Sequence, residues 1–275
     1  MLIGGMNHPG HDVIEEIEWM AEIGLDFIDL TLEPPRAAVW NIDTKTIRAA
    51  LDDHGLKVVG HTAYYLPLAS AFESLRRAAV DEIKRCIEAF AHIGAKWVNV
   101  HPDRAVAILE RKLVIERNIR SLEDLLAAGR EHGLGIMLEN TPGHFNTAAQ
   151  MAELLAPLPD LGLHLDIGHC NLLTETNTTE SILQVYGARL RHVHLHDNKG
   201  GNADLHLPLG TGTVDLPRSV RALKRAGYNG TITLEVFTPD KRHVSYSRDV
   251  LRETWDHDTV TDHAPAADCA CAQAG

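Results

Sequence analysis

Short apolar runs alternate with longer amphipathic stretches along nearly the whole chain. Each apolar run is four to six residues long, is rich in Val, Ile and Leu, and mostly lacks a polar side. Runs of this kind are typical of strands that are buried on both faces of a sheet. The pattern therefore predicts eight strands, at residues 2–6, 27–32, 57–61, 97–101, 135–140, 162–166, 192–196 and 231–236.

The stretches between the runs have the 3.6-residue periodicity of amphipathic helices. In residues 12–24, for example, Val13 and Ile17 lie on an apolar face while Glu15 and Glu22 lie on the opposite face. Several of these stretches end at a glycine just before the next run, which is a common helix stop. Eight helices are predicted, near residues 12–24, 44–54, 72–93, 108–132, 147–156, 178–187, 215–226 and 242–254.

Strict alternation of strand and helix implies parallel strands joined by crossover helices. Eight such units in about 250 residues favour an α/β protein with a single closed (β/α)8 TIM barrel. No G-x-G-x-x-G motif follows the first run, so a dinucleotide-binding fold is not favoured. We predict a barrel domain over residues 1–255 and, because 256–275 are Ala- and Asp-rich without periodicity, a flexible C-terminal tail.

Composition narrows the classes of function and location. The formal net charge of −12 excludes a uniformly basic nucleic-acid-binding surface, although a locally basic face stays possible. The N-terminus lacks the features of a signal peptide, and no apolar run is long enough for a membrane span. The four cysteines, Cys86, Cys170, Cys269 and Cys271, suggest no disulfide framework. We therefore expect a cytoplasmic protein.

Residues that bind metals lie at the ends of the predicted strands. In a (β/α)8 barrel the C-terminal strand ends meet at one rim, where active sites form. A single strand-terminal His is usually a hydrogen-bonded rim residue, but convergence of many such residues indicates a metal site. Glu139 and Glu235 end apolar strands, where an unpaired carboxylate would be costly. The predicted metal ligands are His61, His101, Glu139, Asp166, His169, His194, Asp204, His206 and Glu235.

The stretch HVHLHDNKGGNADLHLPLG supplies three of these ligands. Alternate strand residues share a face, so His194 can point into the barrel mouth, with His196 further out at the rim. His192 would lie deeper and is the least expected ligand of the three histidines. The following loop carries Asp204 and His206, whose i, i+2 spacing lets an extended segment aim both at one ion.

The chemistry of the ligands narrows the metal. Five histidines and four carboxylates without cysteine suit Zn²⁺, Mn²⁺, Fe²⁺ or Co²⁺ better than Ca²⁺ or Mg²⁺. Nine candidates exceed the roughly four to six ligands that one ion accepts. Either two or three ions share bridging carboxylates, or some of the nine contact ligands or substrate instead. We expect Zn²⁺ or Mn²⁺, with one to three ions per chain.

At this point the chain resembles the superfamily of xylose-isomerase-like TIM barrels, over about residues 1–255. That superfamily includes sugar phosphate isomerases and epimerases and the endonuclease IV family of apurinic endonucleases. The resemblance lies in the segments GHTAYYL, VNVHPD, LEN, LDIGH, HLHDNKGGNADLHLPLGTG and LEV. For an isomerase or epimerase it implies one divalent metal, bound by Glu139, Asp166, His194 and Glu235.

The endonuclease IV branch implies a larger site with three zinc ions. Its additional ligands match His61, His101, His169, Asp204 and His206. The chain departs from that branch in reading HLHDNK where the branch has H-L-N-D-S-K, and DLH where it has D-R-H. The counterparts of its DNA-penetrating loops lie in segments that are nearly uncharged or acidic; the candidates there are Arg36, Tyr64, Tyr65 and Leu66.

We favour an enzyme that isomerises or epimerises a sugar, sugar phosphate or related hydroxy-carbonyl compound, its small-molecule partner. Glu139 and Glu235 would be the catalytic residues that move a proton through an enediolate, assisted by the metal. The expected substrate contacts are Lys199, His196, Arg36 and Tyr64.

Two alternatives stay open. One is an apurinic/apyrimidinic endonuclease that cleaves a phosphodiester with a trinuclear zinc site, for which DNA would be the partner. The other is a barrel that stores or senses metal without catalysis. Storage needs a site closed to substrate, and the glycine-rich rim argues against closure; its glycines are Gly200, Gly201, Gly210 and Gly212.

Overall fold

The protein is a closed eight-stranded parallel barrel surrounded by helices, as seen in a computed structural model that describes residues 1–257. Neighbouring strands pair in chain order, and β8 pairs with β1 to close the barrel. The predicted α/β class and (β/α)8 topology are confirmed. The strands are β1 (Leu2–Met6), β2 (Phe27–Thr31), β3 (Lys57–His61), β4 (Trp97–Val100), β5 (Gly135–Glu139), β6 (Gly162–Asp166), β7 (Leu190–Leu195) and β8 (Thr231–Leu234).

One helix follows each strand, close to the predicted bounds. None of these helices is long and apolar enough to cross a membrane. Helix α8 continues through His257, two residues past the predicted domain boundary, and the rest of the predicted tail, 258–275, lies outside the described residues. The helices are α1 (Val13–Glu22), α2 (Thr44–His54), α3 (Glu73–Ile93), α4 (Arg111–His132), α5 (Ala148–Leu155), α6 (Thr179–Tyr186), α7 (Leu216–Arg225) and α8 (Arg242–His257).

Capping residues explain where several helices begin and end. The carboxylates of Asp12, Asp43 and Asp215 each accept a hydrogen bond from a free backbone N–H in the first turn of α1, α2 and α7. At the other end of α3, Gly94 adopts φ of 100°, a left-handed conformation that suits glycine. These local signals fix the helix bounds and therefore the strand ends that carry the polar residues.

The interior of the barrel changes from apolar to polar along its axis. At the N-terminal end Phe27, Val59 and Met137 form a small apolar cluster inside the strands. Because alternate residues of a strand share a face, Asp29 follows Phe27 two positions further along the same inward side. The larger apolar core fills the space between the strands and the helices. The polar side chains are therefore concentrated at the C-terminal mouth.

Candidate metal centre

All nine predicted ligands lie at the C-terminal mouth of the barrel. His61, Glu139 and Asp166 are the last residues of β3, β5 and β6, whereas His101 and Glu235 immediately follow β4 and β8. The mouth opens into a cavity of about 1310 Å³. The nine residues divide into three groups, which we call the central, the second and the third group.

The central group consists of Glu139, Asp166, His194 and Glu235. The Nδ1 atom of His194 lies 3.3 Å from Oε2 of Glu235, and 3.9 Å from both Oε1 of Glu139 and Oδ2 of Asp166. His194 Nδ1, Asp166 Oδ2 and Glu235 Oε2 are buried and have no hydrogen-bond partner among the residues that the structure describes. Ligands about 2.1 Å from a tetrahedral ion lie about 3.4 Å apart. With these distances from His194, the four side chains are candidates to hold one divalent ion.

The second group consists of His61, His101 and Glu139. The Nε2 atoms of the two histidines are 3.2 Å apart, and Oε2 of Glu139 lies 2.9 Å from His101 Nε2 and 3.8 Å from His61 Nε2. The other oxygen of Glu139 faces the central group. Glu139 is thus placed to bridge two ions, each on one carboxylate oxygen.

The third group consists of His169, Asp204 and His206. Oδ2 of Asp204 lies 3.1 Å from Nε2 of His169 and 3.2 Å from Nε2 of His206. His206 has φ of 45°, which is uncommon outside glycine, and its carbonyl accepts a hydrogen bond from the N–H of Phe237 at 3.1 Å. The backbone is therefore held in the conformation that turns this side chain toward the mouth.

Hydrogen bonds on the far side of the ring orient three of the five predicted histidine ligands, His169, His194 and His206. Within residues 1–257, Nδ1 of His61 and Nδ1 of His101 have no such partner. Nε2 of His194 donates to Oδ2 of Asp29 at 2.6 Å, which leaves Nδ1 free for an ion. Nδ1 of His169 donates to the carbonyl of Asn140 at 2.8 Å, and Nδ1 of His206 donates to the carbonyl of Glu235 at 3.1 Å. Such contacts fix the tautomer and orientation of metal-binding histidines.

The charges of the site call for a cation. Burial raises the pKa of Glu139 and Asp166, but neighbouring histidines outweigh burial and hold both pKa values below their ordinary range. Burial lowers the pKa of His194 and His206, yet nearby carboxylates raise the pKa of His194 well above its usual value and that of His206 to about 9. Without an ion, protons on these histidines supply the positive charge that the carboxylates require.

Residues that the sequence analysis did not single out support the ligands from below. Asp29 is buried and accepts from Nε2 of His194 and from Thr233, while Asn99 donates to Oε2 of Glu139 at 2.6 Å. The signal for Asp29 was present: it interrupts the apolar run FIDLTL, where an unpaired carboxylate would be costly. His164 is also buried, and burial lowers its pKa well below the usual value.

The predicted substrate contacts occupy different places. Tyr64 lines the cavity, as expected for a substrate contact. Arg36 lies outside the cavity lining and pairs with Asp12 at 3.2 Å. Lys199 is exposed and does not line the cavity, and His196 is fully buried beneath it. Of the four, only Tyr64 is placed where a substrate in the cavity would touch it.

One buried carboxylate organises the loop that carries Asp204 and His206. The side chain of Asp197 accepts hydrogen bonds from the backbone N–H groups of Gly210, Gly212 and Val214, at 2.7 to 3.0 Å. The backbone thus approaches Asp197 so closely that only a residue without Cβ fits at position 212.

We expect Gly212→Ala to destabilise the protein by about 3 kcal/mol, since overpacking of a tight site costs this much. A Cβ at this position would lie 2.1 Å from the carbonyl oxygen of Asn198 and 2.3 Å from Oδ1 of Asp197. Urea unfolding measures the loss. Gly201→Ala is the matched control, because its Cβ would meet nothing within 4 Å and only its φ of 74° is strained, at about 1 kcal/mol. Equal losses for the two variants would contradict the steric explanation.

Comparison with known proteins places the chain among xylose isomerase-like TIM barrels. The family model with this description matches residues 17–254, and the match confirms the resemblance inferred from the motifs. A ketose 3-epimerase of Arthrobacter globiformis is 27% identical, and the alignment covers 95% of this chain and 93% of that protein. A probable endonuclease 4 of Aquifex aeolicus is 26% identical, with 94% and 99% covered.

A solved structure shows the same similarity in three dimensions. The crystal structure of a D-tagatose 3-epimerase-like protein superimposes with a TM-score of 0.82 at 26% sequence identity, and the match covers 94% of this chain and 98% of that chain. The chain is therefore similar, over nearly its whole length, to sugar epimerases and to an endonuclease 4-like protein.

Proposed function

We propose that this chain, which belongs to the xylose isomerase-like TIM barrel family, is a divalent-metal-dependent isomerase or epimerase of a sugar, sugar phosphate or related hydroxy-carbonyl compound. The observation that carries the proposal is the central group, in which three unpartnered buried ligand atoms face one another beneath a large cavity. The similarity to a ketose 3-epimerase and to a D-tagatose 3-epimerase-like protein supports it.

The metal and the two glutamates have separate tasks. A divalent ion held by the central group would acidify the C–H bond next to a substrate carbonyl. Glu139 and Glu235 come from β5 and from the residue after β8, three strands apart in the barrel, so they reach a substrate from different sides. One glutamate removes the proton and the other returns it on the opposite face, through an enediolate.

The contacts of Glu139 and Glu235 suit their roles in proton transfer. Oε2 of Glu139 accepts from Asn99 and lies beside His101, so Glu139 is held in place as an anion. Oε2 of Glu235 lies 3.3 Å from Nδ1 of His194, on the side of the central group, and the residue also lines the cavity. Glu235 would therefore both help to hold the ion and reach a substrate proton.

Deuterium exchange tests the proposal. The protein, loaded with Zn²⁺ or Mn²⁺, is incubated in D₂O with a panel of ketoses, aldoses and their phosphate esters, and proton NMR follows the signal next to the carbonyl. We expect deuterium incorporation and a second isomer for at least one member of the panel. Absence of exchange across the panel, together with cleavage of duplex DNA that contains an abasic site, would reverse the assignment.

The endonuclease alternative is supported by one feature of the site. The nine residues that the resemblance matches to a trinuclear zinc site lie at one mouth, and the third group would add ligands beyond the four of the central group. In that function Glu139 would bridge two ions, and His169, Asp204 and His206 would hold the ion near the leaving oxygen. A nicking assay on abasic duplex DNA belongs beside the exchange experiment for this reason.

A further inference from the structure

We infer that His196 is a metal ligand, which completes the third group and closes it. The inference rests on the metal binding proposed above but not on the identity of the reaction. In the sequence analysis His196 is a substrate contact, so its assignment changes here.

His196 is a fully buried side chain with an unsatisfied ring nitrogen. Its exposed fraction is 0%, and within residues 1–257 Nε2 accepts or donates no hydrogen bond. A buried polar atom that lacks a partner destabilises the folded protein. Nε2 lies 3.5 Å from Oδ1 of Asp204 and 3.5 Å from Oδ1 of Asp166. A cation between these atoms would satisfy all of them.

The other ring nitrogen has the environment of a metal-binding histidine. Nδ1 of His196 lies 3.3 Å from the carbonyl oxygen of Asp197, so it must carry the proton. His169 and His206 also donate from Nδ1 to a backbone carbonyl. All three rings therefore turn Nε2 toward the same region, which is the arrangement expected of ligands.

These three nitrogens surround one carboxylate. Oδ2 of Asp204 lies 3.1 and 3.2 Å from Nε2 of His169 and His206, while Oδ1 lies 3.5 Å from Nε2 of His196. The ring centroids of His196 and His206 are 4.2 Å apart, and those of His196 and His169 are 5.7 Å apart. Three imidazoles and one carboxylate are a complete ligand set for a four-coordinate divalent ion.

A substrate contact is incompatible with this position. His196 does not line the cavity, and its ring lies against the backbone of Gly168, where a Cβ would come within 2.2 Å of the ring. The glycine lets the ring pack so closely that no space remains on this side. The ring is thus fixed between the backbone and the third group.

Closure of the third group has a consequence for function. Four protein ligands fill a tetrahedral ion, and sites of this kind stabilise structure, whereas catalytic ions keep an open position. The second group offers only His61, His101 and Glu139 and leaves such a position open. An ion closed by His196 cannot also hold the leaving oxygen of a phosphodiester. His196 stands where the endonuclease branch has asparagine. As a fourth ligand it therefore disfavours the endonuclease function.

Cobalt substitution tests the assignment without relying on activity. Metal-free wild type, His196→Ala and His196→Asn are titrated with Co²⁺, and bound metal and the visible absorption spectrum are recorded. Four-coordinate Co²⁺ absorbs much more strongly than six-coordinate Co²⁺. For both variants we expect one ion to lose at least about 100-fold in affinity, with loss of the strong band and retention of the central ion. His54→Ala, on an exposed residue at the end of α2, is the control.

Two further measurements test the His196 assignment even if one variant fails to fold. If His196→Ala does not fold, His196→Asn retains a polar side chain of smaller size, and X-ray absorption of the zinc-loaded wild type counts imidazoles per ion directly. Wild-type affinity, stoichiometry and spectrum in the folded variants would overturn the inference. Deuterium exchange into the substrate is measured on the same preparations. If metal binding is unchanged in the variants but exchange occurs, the His196 assignment fails while the proposed function is retained.

Discussion

Replacing Glu235 with glutamine is expected to lower the rate of substrate epimerisation by about 10²–10⁴-fold, the usual contribution of a general base or acid. Glutamine keeps the shape and one carbonyl oxygen of the side chain but cannot accept a proton. Oε2 of Glu235 lies 3.3 Å from Nδ1 of His194 and 3.5 Å from Nδ1 of His206 and would also face the central ion, so the variant and the wild type are compared at equal metal content. Epimer interconversion, followed by NMR on a metal-loaded preparation with measured metal content, checks the result.

With two bases on opposite faces of the substrate, each variant is expected to affect one epimer more than the other, in addition to losing activity. In Glu235→Gln, Glu139 remains able to remove a proton from one face, so one epimer should still exchange with D₂O while conversion to the other stops. Glu139→Gln should show the opposite preference, although loss of a bridging ligand also weakens metal binding. Glu18→Gln, on the exposed side of α1, is the control. Conversion by Glu235→Gln within threefold of wild type, at full metal content, would rule out this role.

Removing the metal is expected to lower the melting temperature by about 6–16 °C. A ligand present at about 100 to 1,000 times its dissociation constant stabilises a protein by about 3–4 kcal/mol, and each kcal/mol corresponds to about 2–4 °C in a chain of this size. The unpartnered atoms of Asp166, His194 and Glu235 lose their shared cation on chelation. Calorimetry before and after treatment with a chelator measures the shift.

The metal-free protein should also become less stable as the pH rises. Glu235 and Asp204 raise the pKa of His206 to about 9 against the lowering effect of burial. Since the folded pKa exceeds the unfolded value of about 6.5, the stabilisation is fully present below about pH 6.5 and is lost as the pH rises through about 9. In the metal-loaded protein the ion replaces this proton, so the trend should be weaker there.

Restoration separates a metal effect from damage by the chelator. Zn²⁺ or Mn²⁺ should return the melting temperature to its starting value, whereas Mg²⁺, which prefers oxygen ligands, should not. A protein that contains metal as purified and melts at the same temperature with and without chelator would contradict the prediction. So would full recovery with Mg²⁺ alone.

Periodicity along the chain was enough to predict the barrel. Apolar runs and glycine stops gave all eight strands and helices to within a few residues, because both depend on neighbours in sequence. The same rule predicted that Glu139, Asp166 and His194 would lie at one rim. It overlooked Asp29. Lys199 as a substrate contact stays a prediction, and its side chain is exposed outside the cavity.

Hydrophobic pattern and chain topology were enough to predict the fold class and the polar end of the barrel. Which side chains face each other depends on contacts between residues far apart in the chain. Asp29 and His194 meet across 165 residues of chain, and no local pattern encodes that contact. His196 changed from a rim residue to a buried ring beside Asp204, because loop 197–214 folds back over it around Asp197. Alternation along a strand predicts on which side of the sheet a side chain lies. Which residue it contacts there depends on how the barrel closes.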